Sequence, residues 1–128
     1  MADAPARFKD LCLDARDHQT LADWWCAALG YVRRDDLEPT EDEPRPHDWP
    51  VPIVDPSGAG PLMWIVPVPE PKIIKNRMHF DVVGDTPALL AAGASLVRAR
   101  DADPEDDGVE WDVLADPEGN EFCVFSPE

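Results

Sequence analysis

The last strand-like stretch of the chain, Glu121–Phe125, follows the turn sequence Asp-Pro-Glu-Gly, and its side chains alternate between two differently occupied faces. Phe122 and Val124 fall on one side of this stretch. The other side carries Glu121, Cys123 and Phe125. Asp, Pro and Gly each favour a tight bend, so a hairpin turn is predicted before the strand. One face of the strand is therefore expected to join the core and the other to line a pocket.

The same alternation predicts six further strands. They are Arg7–Asp14, Tyr31–Asp36, Leu62–Val68, Arg77–Val83, Ser95–Arg100 and Val109–Leu114. In the opening strand, Asp10 and Cys12 share one face and Leu11 and Leu13 share the other.

Two helices are predicted from apolar stripes between capping residues. The first begins after Asp17, a good N-cap, and ends at Gly30, a natural C-cap. Its apolar residues recur at helical spacing, and three of them are expected to be buried, namely Leu21, Trp25 and Leu29. The second helix is predicted to be capped by Thr86, with Pro87 at its first position. The predicted order is strand, helix and three strands, twice.

The segment Leu37–Pro56 is rich in proline and acidic residues, so regular structure is not expected there. A long irregular segment inside a domain is generally a functional lid or disordered, and the sequence favours neither. The acidic stretch Asp101–Asp107 is predicted to be a second loop.

Composition limits the possible classes of protein. A chain of 128 residues, 44% of them hydrophobic, predicts one domain covering 1–128. No apolar run is long enough to span a membrane and no signal peptide is apparent, so a cytoplasmic protein is expected. Three cysteines without paired spacing are typical of reduced thiols. The net charge of −16 argues against nucleic acid as a partner, because phosphate binding needs basic patches.

Two internal matches indicate a duplication. CAALGYVRR at 26–34 resembles LAAGASLVR at 90–98, and the turn sequence at Asp55 recurs at Asp116. Two matches in the same order are harder to explain by chance than one.

A duplicated βαβββ unit with a D-P-x-G-N turn before its last strand and a His-x-Asp at 79–81 resembles the vicinal oxygen chelate superfamily. This superfamily includes glyoxalase I, bleomycin-resistance proteins and dioxygenases. The motifs at Leu21–Trp25, Val68–Lys72 and Gly119–Val124 are most similar to small actinobacterial glyoxalase-like domains. The resemblance implies an α+β fold in which two βαβββ modules, about 6–68 and 76–126, form one curved cleft. It also implies a homodimer.

Catalytic members of this superfamily hold a divalent metal with one side chain from the first and last strand of each module. The matching positions here are Asp10, Trp64 or Val66, His79 and Cys123. Only His79 is a standard ligand of the family, and neither Trp64 nor Val66 can bind a metal. Asp, His and thiolate together suit zinc better than the metals usual in the family. We therefore expect neither a bound metal nor another cofactor.

The roles of individual site residues stay open at this point. His79 is a metal ligand, a pocket histidine bonded to Asp81 or Asp10, or a proton shuttle. Cys12 and Cys123 are expected to be small buried residues rather than nucleophiles. Arg77 either fixes an anionic ligand or forms a surface salt bridge.

Three functions follow from these residues, and whether the protein is an enzyme is left open. The first is a metal-independent binding protein, similar to bleomycin-resistance proteins, that holds an aromatic or conjugated ligand. Its binding residues would be Trp64, Arg77, Phe125, Cys123 and Trp111. The second is a lyase, isomerase or dioxygenase whose catalytic residues would be His79, Glu121 and Asp10. The third is a regulatory domain that binds a partner through its acidic loop.

Overall fold

The first half of the chain forms a four-stranded mixed sheet. In the computed structural model, which describes residues 4–37, 45–101 and 110–127, this half belongs to a unit spanning Met1–Pro69. Its elements are β1 (Leu11–Ala15), α1 (His18–Leu29), β2 (Val32–Arg33), α2 (Arg34–Leu37), β3 (Val51–Val54) and β4 (Met63–Pro67). The strand order is β1-β4-β3-β2, with β1 parallel to β4 and the other pairs antiparallel.

The second half repeats this topology in a unit spanning Glu70–Glu128. Its elements are β5 (Phe80–Val83), α3 (Thr86–Ala91), β6 (Ser95–Arg98), β7 (Trp111–Ala115) and β8 (Glu121–Phe125). The strand order is β5-β8-β7-β6, again with one parallel pair, β5 with β8. The predicted α+β fold of two βαβββ modules is confirmed. The one domain over 1–128 and the single curved cleft stay predictions.

Helix α1 forms where its caps and apolar stripe predict. The Asp17 carboxylate accepts a hydrogen bond from the Thr20 amide at 3.2 Å, and Gly30 ends the helix with φ 72°. That left-handed conformation favours glycine. Leu21 and Trp25 are buried, as expected, and α1 contacts β3 and β4. Leu29 is only half-buried, because it occupies the last turn of the helix.

The Pro-rich segment contains a strand that its composition did not predict. Residues 51–54 form β3, which lies between β2 and β4, so the expectation of no regular structure was wrong there. Pro52 lacks an amide proton, but β2 pairs only with Ile53 and Val54. Pro52 therefore lies beyond the end of that ladder, where a missing donor is tolerated. Residues 38–44 of the first predicted loop and 102–107 of the second lie outside the described residues, and so does 109, where the strand Val109–Leu114 was predicted to begin.

Several predicted boundaries were also wrong. Strands β1 and β5 are shorter than predicted, so Asp10 and His79 lie just before them rather than inside them. The predicted strand Tyr31–Asp36 is a two-residue strand followed by the short helix α2. Asp85, rather than Thr86, is the N-cap of α3 and accepts from the Ala88 amide at 3.3 Å. None of the described helices is long and apolar enough to cross a membrane.

A buried carboxylate joins three parts of the second unit. Asp112 of β7 accepts hydrogen bonds from the Thr86 hydroxyl at 2.6 Å and from the Arg100 amide at 2.7 Å. The Arg100 guanidinium contacts the same carboxylate at 3.0 Å. The Arg100 side chain, helped by Thr86, lowers the pKa of Asp112 from 3.8 to about 2 despite burial. This network connects α3 and the end of β6 to β7.

We expect Asp112→Asn to destabilise the folded protein at neutral pH by roughly 1–3 kcal/mol, because it removes a charged hydrogen-bond acceptor. Because the folded-state pKa is depressed, the carboxylate stabilises the fold above about pH 4 and loses that effect as the pH falls towards about 2. The difference in unfolding free energy between wild type and Asp112→Asn should therefore shrink as the pH falls from about 4 towards about 2. Denaturant unfolding followed by circular dichroism at several pH values measures both effects.

Asp23→Asn is the matched control, because Asp23 also pairs with an arginine, Arg33, but its side chain is 71% exposed. It should change stability by less than about 1 kcal/mol. Equal effects of the two substitutions would show that the Asp112 network does not stabilise the second unit.

Candidate functional site

A pocket of about 270 Å³ lies in the second unit, on one face of β7 and β8. Alternation places Glu121, Cys123 and Phe125 on this face of β8. Phe122 and Val124 point the other way and are buried in the core, as the sequence predicted. The full lining consists of Lys75, His79, Asp81, Trp111, Val113, Glu121, Cys123 and Phe125.

The hairpin before β8 sets which residues face the pocket. Asp116 is almost fully buried, and its carboxylate accepts hydrogen bonds from the amides of Glu118 at 2.9 Å and Asn120 at 3.0 Å. The Gly119 amide donates to the Asp116 carbonyl at 2.8 Å, and Gly119 has φ 91°. A side chain would strain that conformation. The predicted turn is therefore present and holds β8 in register with β7.

Two aromatic rings form one side of the pocket. Trp111 of β7 lies directly across the ladder from Phe125 of β8. Their ring centroids are 5.5 Å apart at an interplanar angle of 32°. Both were predicted to bind ligand, and the structure brings them together. Both rings are partly exposed, so they can stack against a planar molecule.

Three potential metal-binding side chains meet beside these rings. His79 Nδ1 is 3.7 Å from Cys123 Sγ and 3.5 Å from Asp81 Oδ1. The predicted contact of His79 with Asp81 is thus present within the second unit. The alternative partner, Asp10, belongs to the first unit, and that alternative stays a prediction. Cys123 is buried, as predicted, and burial together with the Asp81 carboxylate raises the pKa of its thiol. The thiol is therefore not activated as a nucleophile in this environment.

Glu121 is anchored from two sides. Its carboxylate accepts hydrogen bonds from Lys72 Nζ at 2.6 Å and from the Asn76 amide at 2.9 Å. Burial raises the pKa of Glu121, but these donors outweigh burial, and the pKa lies below its usual value. The carboxylate is thus charged at neutral pH and fixes the segment before β5 against β8. The catalytic role of Glu121 stays a prediction.

The remaining predicted residues do not line this pocket. Asp10 and Trp64 lie in the first unit, where Trp64 Nε1 donates to Asp10 Oδ2 at 3.1 Å. A hydrogen bond from Lys9, together with that from Trp64, lowers the pKa of Asp10. Arg77 is exposed, and Lys75 supplies a pocket cation instead. Cys12 is exposed in β1, so its predicted burial was wrong. The alternation of a strand does not say which of its faces is covered.

Sequence reasoning missed two residues of this region, Lys72 and Lys75. Lys72 ends the Val68–Lys72 motif, which indicates the family but assigns no role to the lysine. Lys75 lies four positions before His79. A lysine close to a predicted pocket strand was the available signal. It was weak, because the path of a Pro-rich segment is not set by periodicity.

The metal site of catalytic relatives does not fit these residues. Trp64 stands at one of its four positions and uses its ring nitrogen as a donor to Asp10, which stands at another. A donating indole nitrogen has no lone pair for a metal. Val66, the other residue considered for that position, is aliphatic. The chain therefore lacks the complete ligand set that those relatives use.

The fold and the motifs together define a member of the vicinal oxygen chelate superfamily. The chain belongs to the glyoxalase-like domain family, whose model matches residues 10–125. No curated protein sequence matches it significantly.

Solved structures with the same fold share little sequence with this chain. A glyoxalase/bleomycin resistance protein/dioxygenase family enzyme from Burkholderia phytofirmans has a TM-score of 0.62 at 16% identity, covering 91% of this chain and 94% of its own. The oxidase ChaP-H2 has a TM-score of 0.57 at 13% identity, covering 98% and 96%. TnmS3, an antibiotic-binding protein from Streptomyces, has a TM-score of 0.52 at 15% identity, covering 98% and 100%.

We expect Glu121→Gln to loosen the segment before β5, because a neutral amide bonds the Lys72 ammonium less strongly than a carboxylate does. Trypsin should then cut faster after Lys72 and Lys75, and mass spectrometry of a limited digest would measure both rates. Glu110→Gln is the control, since Glu110 is an exposed glutamate of the same unit. Unchanged cleavage after both lysines in Glu121→Gln would mean that Glu121 does not anchor this segment.

Proposed function

We propose that this protein binds a small aromatic or conjugated molecule in the pocket of the second unit, as a bleomycin-resistance-like binding protein that needs no metal of the family type. The paired rings of Trp111 and Phe125 carry the proposal. Neither ring is fully buried, and both line the same pocket. A planar ligand that covers them would remove apolar surface from water and gain stacking energy.

The polar edge of the pocket would orient such a ligand. Lys75 offers an exposed ammonium group, and His79 offers an imidazole that is about a third exposed. Both can donate to a carbonyl, phenolate or carboxylate on the ligand. The charge of Glu121 is already paired with Lys72, so it repels an anionic ligand less than an unpaired carboxylate would. Similarity in fold to the antibiotic-binding TnmS3 supports this class of function.

A lyase, isomerase or dioxygenase remains the second candidate, favoured by the contact between His79 and Asp81. A carboxylate within reach of an imidazole can orient the ring for proton transfer. In the second unit, this chemistry would use His79 with Glu121. Asp10 and Trp64 lie in the first unit, and Arg77 is not among the residues that line this pocket. Their predicted roles are not part of this proposal and stay predictions.

Three further expectations belong to this proposal. The homodimer rests on resemblance alone, and light scattering of the purified protein would measure it. The cytoplasmic location rests on the composition of the sequence. The alternative of a partner-binding domain concerns an acidic loop whose residues 38–44 lie outside the described part of the chain.

We expect Trp111→Ala to weaken binding of an aromatic ligand by roughly two- to tenfold, because stacking on one ring contributes about 0.5–1.5 kcal/mol beyond area burial. Trp111→Phe should retain most of the affinity. Ligands would first be found by screening aromatic metabolites and antibiotics for quenching of tryptophan fluorescence in chelator-treated protein. Calorimetry would then compare the variants.

The matched control is Trp64→Ala, which removes a tryptophan from the first unit. Unchanged affinity in that variant and reduced affinity in Trp111→Ala would support the pocket described above. The reverse result would assign ligand binding to the surface around Trp64 and contradict the proposal. Conversion of a bound ligand to a product that depends on His79 would favour the enzyme instead.

A further inference from the structure

We propose that His79, Asp81 and Cys123 form a zinc-binding site contained entirely within the second unit. The three side chains offer one nitrogen, one oxygen and one sulfur atom, all within 4.8 Å of one another. Asp81 of β5 and Cys123 of β8 are register partners in the parallel pair of these strands. His79 lies one residue before β5 and two residues before Asp81, next to this pair of strands.

The distances match the edges of a zinc coordination tetrahedron. With bond lengths of about 2.3 Å to sulfur and about 2.1 Å to nitrogen and oxygen, tetrahedral zinc separates nitrogen from sulfur by roughly 3.6 Å and nitrogen from oxygen by roughly 3.4 Å. The observed separations are 3.7 Å for His79 Nδ1 to Cys123 Sγ and 3.5 Å for His79 Nδ1 to Asp81 Oδ1. The third edge, from Cys123 Sγ to the Asp81 carboxylate, is within 4.8 Å, where tetrahedral zinc would need roughly 3.6 Å. Binding would therefore require the Asp81 and Cys123 side chains to move towards each other.

The choice of imidazole nitrogen distinguishes a metal site from a nucleophilic relay. In a Cys-His-Asp relay, the thiol and the carboxylate contact opposite nitrogens of the ring. Here both Cys123 and Asp81 approach the same atom, His79 Nδ1. The three possible ligand atoms therefore lie within reach of one another at the Nδ1 edge of the ring, as the ligands of one cation must.

The donor set also selects the metal. Thiolate and imidazole favour zinc over magnesium or manganese, and zinc accepts a carboxylate as well. Binding would release the Cys123 thiol proton to solvent and form a zinc–sulfur bond. His79 and Asp81 are partly exposed towards the pocket, which leaves room for water or a ligand atom at a fourth position.

This site differs from the one that relatives use. His79 and Cys123 stand at two of the four family positions, but Asp81 stands at none of them, and all three ligands come from one module. The expectation of a metal-free protein rests on the four family positions alone, and Asp81 lies outside them. The inference is independent of the proposed ligand, since zinc binding can be measured on the protein alone.

Cobalt substitution tests the site directly. Reduced, metal-free protein titrated with Co²⁺ should develop a thiolate-to-cobalt charge-transfer band that saturates near about one equivalent and is displaced by Zn²⁺. Cys123→Ser should abolish this band. His79→Ala and Asp81→Asn should each weaken zinc binding at least about tenfold in competition with a chromophoric chelator. Circular dichroism would confirm that each variant is folded.

Cys12→Ser and Cys26→Ser are the matched controls, since both cysteines lie in the first unit, and both should retain the band. His47→Ala is the control for loss of a histidine elsewhere. Absence of a cobalt–thiolate band in the reduced wild-type protein would overturn the proposal. Persistence of the band in Cys123→Ser, or its loss in either control thiol variant, would overturn it as well. The ligand-binding proposal would stand in all of these cases.

Discussion

The pairing of β8 between β5 and β7 is the constraint on which the second unit depends. This strand is parallel to one neighbour and antiparallel to the other, so both of its edges are hydrogen-bonded. A slip of one residue would turn every side chain to the opposite face. Phe122 and Val124 would then leave the core, and the pocket residues would replace them. The buried Asp116 turn opposes such a slip, because its carboxylate holds the amides that begin the strand.

Charged groups in the second unit mainly connect segments that periodicity does not place. Asp112 joins β7 to Thr86 and Arg100, and Glu121 joins β8 to Lys72 and Asn76. Each carboxylate is largely buried and accepts more than one hydrogen bond, which offsets the cost of removing it from water. In a chain with a net charge of −16, the few lysines and arginines are thus partly used to hold loops and crossings against the sheet.

Much of the architecture was predictable because it is encoded locally. The caps of α1, the Asp116 turn and the two-faced pattern of β8 each depend on residues close in sequence, and all three were predicted. Strand β3 was missed because it is short, contains Pro52 and lies in a segment rich in proline and acidic residues. Its pairing with β4 joins residues 10 to 14 positions apart, which a local pattern does not reveal.

In the candidate site, too, some features follow from local sequence and others from strand pairing. The sequence by itself determined that Cys123 and Phe125 share a face, because successive side chains of a strand alternate. It also indicated the duplicated fold, since turns and caps recur in the same order. Only the tertiary structure decided that Asp81 lies beside Cys123, that Trp111 lies across from Phe125, and that Lys72 reaches Glu121. These contacts join residues 14 to 49 positions apart, and their geometry depends on strand order and register rather than on local propensity.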